Sequence, residues 1–199
     1  EPRFKGLFDW PLDMVCAGRF TPALGDSGNL SNVGRLWRPE ALRAAFEAYG
    51  DPVYARALLS VSPEGGKDIL SKDIKADLEA ASARLESEIG YDSRHLAGYG
   101  LATLQNRRPE APVAAALFYG RFVGHAHYDK MHLDLFAENV SMMPDFGYPE
   151  TANSNDPRRF GFISHTVSHN TVMVDARNQA DARGRCLAYD AGPGVQYVE

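Results

Sequence analysis

Cysteine is scarce in this chain, with only Cys16 and Cys186 among 199 residues. Two thiols so far apart make neither a disulfide framework nor a Cys-rich zinc spacing, and at most one bridge is open to them. Long apolar runs are missing as well, so no membrane span is expected. No basic-then-apolar leader opens the chain. Its start, Glu1-Pro2-Arg3-Phe4, reads like the interior of a longer protein, and no compartment follows from it. Positive charge is neither in excess nor clustered. Lys and Arg number 21 against 26 Asp and Glu, a formal net charge of −5, which argues against nucleic acid as a partner. A local Arg/Lys cleft can still take a polyanion, so an acidic sugar stays open. What is present is ordinary for a globular protein: 44% hydrophobic and 24% charged residues, enough for one large domain or two small ones.

One stretch organises the rest: Gly124-His125-Ala126-His127-Tyr128-Asp129-Lys130, taken with Asp145 and His169. Two histidines one residue apart on a strand share a face. Asp145 in a Met-Pro-Asp-Phe-Gly turn and His169 in Ser-His-Asn-Thr-Val add a carboxylate and another imidazole. Such a set suits a divalent metal such as zinc.

The first third reads as helical. Trp10 to Arg19 is a short amphipathic piece, and Leu24 to Leu30 is a loop in which Gly25-Asp26-Ser27-Gly28 is better read as an Asx-type turn than as a site with Asp26 or Ser27 facing a substrate cleft, since no partner nearby supports the second. Pro39 opens a helix that Gly50 stops, and Asp51-Pro52 caps the next, with Tyr54, Ala57, Leu58 and Val61 at helical spacing. Residues 68 to 89 hold a further helix through Ile74, Leu78, Ala81 and Leu85. From Tyr91 the period falls from about 3.6 to 2. Strands are expected at His95–Leu104, Ala114–Val123, His132–Ala137, Val140–Met143, Phe162–Asp175, Cys186–Tyr189 and Val195–Val198, with a long loop at 147 to 159. Successive antiparallel strands after helices give an α+β chain, helical over 1–90 and β over 91–199.

The bland alternative for His125 and His127 is a pair of surface histidines on an exposed strand face. An H-x-H-x-D string also recurs in metallo-β-lactamase-like and amidohydrolase enzymes. Here Lys130 stands where the first of those places another His, and no βα alternation follows. Asp129 reads as a partner of a ligand, and Lys130 as pairing with Asp129 or with a substrate carboxylate. His132 reads as a polar cap at a strand start, and His95 as structural.

Taken together, Tyr119-Gly120-Arg121-Phe122-Val123-Gly124-His125-Ala126-His127-Tyr128-Asp129-Lys130, Leu133-Asp134-Leu135-Phe136-Ala137, Pro144-Asp145-Phe146-Gly147-Tyr148 and Ser168-His169-Asn170-Thr171-Val172-Met173-Val174-Asp175 resemble the heparinase II/III-like polysaccharide lyases. That family includes oligoalginate lyases and heparin or heparan lyases. The resemblance implies the end of an (α/α) helical toroid followed by the start of an antiparallel β-sandwich. It implies β-elimination from a uronate-containing glycan, with alginate oligosaccharide as the leading substrate, and a periplasmic or secreted setting before a cytoplasmic one. His125 falls on the histidine that lines the catalytic cleft. His127, Asp145 and His169 fall on the ligands of a zinc that braces the sheet.

In such lyases a tyrosine assisted by Asn or His does much of the proton work, in helices expected ahead of this chain. Tyr49, Tyr54 and Tyr99 read as core, whereas Tyr128, Tyr148 and Lys130 are positioned to contact sugar. The chain is thus expected to need the remainder of the same protein, or a homodimer mate, to be active. Two rivals stand beside this reading: a zinc-dependent hydrolase with the same ligands, and a non-catalytic carbohydrate-binding β-module with a structural metal.

Overall fold

A computed structural model of the chain describes residues 2–28, 37–66, 72–120, 125–148 and 155–199. Two compact units emerge, Glu1–Val15 with Arg35–Gly90, and Cys16–Gly34 with Tyr91–Glu199. The segment after Val15 therefore groups with the sheet, although it precedes most of the helices.

The first unit holds four helices: α1 (Pro2–Asp13), α2 (Pro39–Tyr49), α3 (Pro52–Val61) and α4 (Lys75–Ser82). Helix α2 begins on Pro39, whose fixed φ suits a first turn, and ends where Gly50 adopts a left-handed φ of 63° and returns its N–H to Phe46 O. Asp51 caps α3 by accepting from Val53 N at 3.0 Å. Leu42, Ala45, Tyr54, Ala57, Leu58, Leu78 and Ala81 interlock as a dry core. Arg56 reaches the carbonyls of Ser82 and Leu85 at and just beyond the end of α4. Two expectations shift. The first helix lies over Pro2–Asp13 rather than Trp10–Arg19; it stops two residues after Pro11, and Cys16 and Phe20 then pair as an isolated bridge. The last helix is only Lys75–Ser82, with residues 68–71 of the expected span outside the described residues.

The second unit is built on a five-stranded antiparallel sheet in sequential order: β1 (Arg94–Leu96), β2 (Leu101–Gln105), β3 (Val113–Phe118), β4 (His132–Ala137) and β5 (Val140–Ser141). A ribbon of β6 (Tyr189–Ala191) and β7 (Gln196–Val198) joins it through Gln196, whose amide donates to Gln105 O at 2.8 Å. On β4 the alternate residues His132, Asp134 and Phe136 all point inward. Phe136 stacks on Phe20 at 4.8 Å between ring centroids, and the small Ala114 and Ala116 face Phe136 and Asp134 from β3. Among the described residues no helix is long and apolar enough to cross a membrane.

The strand expected at His95–Leu104 is two strands folded about residues 97–100. The one expected to reach Val123 ends at Phe118, and Arg121 to Gly124 lie outside the described residues, as do 149–154 of the long loop and 29–30 of the Leu24–Leu30 loop. Phe162–Asp175 is no strand. It is a π-helical turn (Arg159–Ile163), a 3-10 turn (Thr166–Ser168) and an irregular run in which Val172 and Val174 stand 74% and 66% exposed. Among the described residues this apolar run makes only the isolated bridge of Val174 to Arg177, and such a run without a neighbouring strand does not form a ladder.

Candidate metal centre and adjoining cleft

The segment from His125 to Met131 leads into β4 as an irregular loop, not as a strand, with His125 at φ 45° and Met131 at φ 61°. The two imidazoles therefore do not share a strand face. Other elements fasten this loop. Tyr128 N donates to Ser164 O at 2.9 Å, Lys130 N to Gln179 Oε1 at 2.8 Å, and Thr171 Oγ1 to Lys130 O at 2.5 Å.

On its other side the loop meets residues 24–28. Gly25 N donates to Asp129 Oδ2 at 3.0 Å, and Asp26 N to His125 O at 3.0 Å. Gly25 has φ +55°, and a Cβ there would sit 2.5 Å from His125 O, so glycine is required. Gly147 plays the matching part for the Asp145 turn, its missing Cβ falling 2.3 Å from Gly28 O. Ser27 ties the loop on itself, accepting from Leu24 N and donating to Leu24 O.

These close approaches bring His127, Asp145 and His169 together, with ligand atoms within 4.8 Å of one another. All three side chains are at most 2% exposed. His169 Nδ1 donates to Asp145 Oδ2 at 2.6 Å, and Asp145 Oδ1 accepts from Gly147 N at 2.7 Å. His127 Nε2 donates to Asp26 Oδ1 at 3.1 Å. The opposite ring nitrogens, Nδ1 of His127 and Nε2 of His169, are buried without a hydrogen-bond partner among the described residues. Two bare imidazole lone pairs facing no donor are costly in a dry site and natural in a metal shell.

Charge points the same way. Four buried carboxylates, Asp26, Asp129, Asp134 and Asp145, face two largely buried cations, Lys130 and Arg159. Even with Asp134 protonated, negative charge is in excess, and a divalent cation offsets it. Burial lowers the His127 pKa against the pull of Asp26, which favours the neutral imidazole that ligation needs.

His132 is not the polar cap expected of it. It is 1% exposed, its Nδ1 accepts from Asn170 N at 3.2 Å and lies 3.6 Å from Asp145 Oδ2, and its Nε2 lies 3.3 Å from Asp134 Oδ1. The Asn170 amide places the His132 proton on Nε2, toward Asp134. Burial works to lower the His132 pKa, but Asp134, Asp145 and Asp129 outweigh it and raise it. Burial raises Asp134 in turn, against the pull of His132.

Beside the cluster lies a cleft of about 430 Å³, lined by His125, His127, Tyr128, Lys130, Arg159 and Asp26 among others. The His125 side chain is 79% exposed, with Nδ1 on Asp26 Oδ2 at 3.0 Å. Tyr128 is half exposed, its ring edge-on to His165. Lys130 pairs with Asp129 at 3.0 Å. Tyr148 is placed differently: its ring carries the Arg159 guanidinium at 5.1 Å, and it does not line this cleft.

Three residues of the site escape a reading of the sequence, His132, Asp134 and Arg159, and a fourth, Asp26, is set aside there for want of a partner. Asp26 had a local signal in its Gly-Asp-Ser-Gly loop, but nothing in the sequence ties that loop to histidines some hundred residues on. Alternation along β4 turns His132 and Asp134 inward, a signal available in His-Leu-Asp-Leu-Phe.

Residues 88–191, just over half the chain, match the family described as Heparinase II/III-like, C-terminal. No curated protein sequence matches. Among solved structures the chain is similar to heparinase III (TM-score 0.67, 14% identity, 95% of this chain and 28% of that one). It is also similar to heparan sulfate lyase HepC from Pedobacter heparinus (0.64, 16%, 98% and 27%) and to a heparinase III with methylated lysines (0.66, 13%, 96% and 26%). The chain thus spans about a quarter of the length of these structures, and at such identities they speak for the fold alone.

Proposed function

The chain belongs to the heparinase II/III-like family, and on that premise we propose that it is the metal-braced part of a polysaccharide lyase that cleaves a uronate-containing glycan by β-elimination. The observation that carries this is the buried His127, Asp145 and His169 cluster lying against an open cleft with His125 on its wall. In this reading the helical unit is the end of an (α/α) toroid and the five-stranded sheet the start of an antiparallel β-sandwich. The substrate is an alginate oligosaccharide or a glycosaminoglycan; the likeness to heparinase III and heparan sulfate lyase supports the second.

Zinc fits the residues present: two bare buried nitrogens, a carboxylate and surplus negative charge. Held by His127, Asp145 and His169, it supplies a cross-link between the 125–131 loop, the Asp145 turn and the segment after the 3-10 turn. The burial of all three ligands favours a bracing role over hydrolysis, because a hydrolytic zinc keeps one position open to water and substrate.

Elimination demands that the uronate carboxylate be neutralised, the C5 proton removed and the departing C4 oxygen protonated. Lys130 and Arg159 put positive charge at the cleft, and His125 presents its unengaged Nε2 to hold the carboxylate or share a proton. Tyr54 and Tyr99 are poor bases here, since burial pushes both phenols up to about 12. We assign the main proton-abstracting group outside the described residues.

The test incubates the protein carrying this chain with uronate oligosaccharides and follows the ultraviolet absorbance of the unsaturated product. His125→Ala is expected to lower the rate about 100- to 10,000-fold with zinc content retained. Cleavage without new absorbance indicates a hydrolase, and binding without turnover a carbohydrate-binding module; either result overturns the reading.

A further inference from the structure

We infer that Asp26 is a positioning residue that couples the metal centre to the cleft, one carboxylate oxygen setting His127 toward the metal and the other setting His125 and Arg159 on the cleft wall. The inference rests on the metal-braced reading above and goes beyond it by giving a role to a loop outside the matched family region.

A carboxylate can only accept, so Asp26 Oδ1 at 3.1 Å from His127 Nε2 requires the imidazole proton to sit on Nε2. That leaves Nδ1 as the lone pair, and Nδ1 is a buried atom with no hydrogen-bond partner among the described residues. The loop thereby selects the tautomer a metal needs. Asp26 Oδ2 holds His125 Nδ1 at 3.0 Å and also takes the Arg159 guanidinium. The same logic protonates His125 on Nδ1 and leaves Nε2 free. Arg159 is itself seated between the Tyr148 and Phe160 rings, each 5.1 Å away.

One carboxylate therefore ends on a metal ligand on one side and on two cleft residues on the other. Its place is fixed. The side chain is 3% exposed, and its backbone is held by the Asp26 N to His125 O and Gly25 N to Asp129 Oδ2 bonds. Cation binding at Nδ1 makes the Nε2 proton more acidic and tightens its bond to Asp26. A carboxylate drawn that way redistributes its hold on His125 and Arg159. By linkage, a ligand that engages those two residues changes metal affinity by the same factor.

The experiment uses zinc and cobalt(II) as probes. Metal-free wild type, Asp26→Asn and Asp26→Glu are titrated with zinc, their cobalt(II) absorption bands recorded, and the thermal midpoints of the metal-free forms compared. The coupling role expects zinc binding 10- to 100-fold weaker in both variants and shifted cobalt bands, with metal-free midpoints near wild type. Should the Asn variant not fold, the Glu variant, which keeps the charge but moves it by one methylene, decides alone. A folded variant with unchanged zinc affinity and unchanged cobalt bands overturns the inference. Wild type that takes up neither metal overturns the zinc reading itself, a separate failure.

Discussion

Gly25→Ala is a sharp test of how the site is assembled, because the change touches no functional side chain. The new Cβ would lie 2.5 Å from His125 O, and contacts under 3.0 Å are essentially never seen, so the 24–28 loop and the His125 segment must part by at least 0.5 Å. The Asp26 N to His125 O hydrogen bond, now 3.0 Å, then stretches to the edge of bonding. Losing it costs about 1 kcal/mol. Holding alanine at φ +55° costs roughly 1–2 kcal/mol more, and the stiffer unfolded chain returns about 0.5 kcal/mol. A net destabilisation of about 2 kcal/mol is expected. The same movement pulls Asp26 off His127 and His125, so zinc affinity should fall too. Both tryptophans, Trp10 and Trp37, lie in the helical unit, so fluorescence reports the wrong part of the molecule. Urea unfolding followed by hydrogen exchange at β2–β4 amides, with zinc titration of the folded protein, reads the right one. Stability within about 0.5 kcal/mol of wild type together with undiminished zinc binding would refute the account of the loop contact.

Asp145→Asn and His169→Ala should each abolish stoichiometric zinc uptake measured by elemental analysis. Chelation of the wild type should lower its thermal midpoint, since zinc at a hundred times its Kd contributes about 2.7 kcal/mol. Tyr99, held neutral by burial and by nearby Asp129, ionises at about 12 when folded and near 10 when unfolded. Its contribution is therefore complete below pH 10 and lost as the pH rises toward 12; alkaline unfolding compared with Tyr99→Phe checks this. Leu58→Ala in the helical core, where Leu58 is fully buried, should cost about 3 kcal/mol, read by tryptophan fluorescence in urea.

The parts of the fold that can be read from the sequence carry their own punctuation. Pro39, Gly50 and Asp51-Pro52 bound α2 and α3 where expected, and the alternation of His132–Ala137 delivers β4 residue for residue. Failure comes where an apolar pattern lacks a partner. Val172-Met173-Val174 is an apolar run that reads like a strand but joins no ladder among the described residues, and the H-x-H spacing looks like a strand although positive φ values bend it into a loop. The ligand trio follows from ordered motifs, and its three members do converge. Asp26 could not be found that way, because its role exists only once residues 99 and 101 positions later arrive beside it.

That separation has a consequence during synthesis. Asp26 leaves the ribosome some hundred residues before either imidazole it will hold, and His169 emerges later still. Until then the acid-rich pocket has no walls, and closing so large a loop is entropically slow. On the zinc reading proposed above, metal capture would wait until His169 is out, so the cation would latch segments already made and would not seed them.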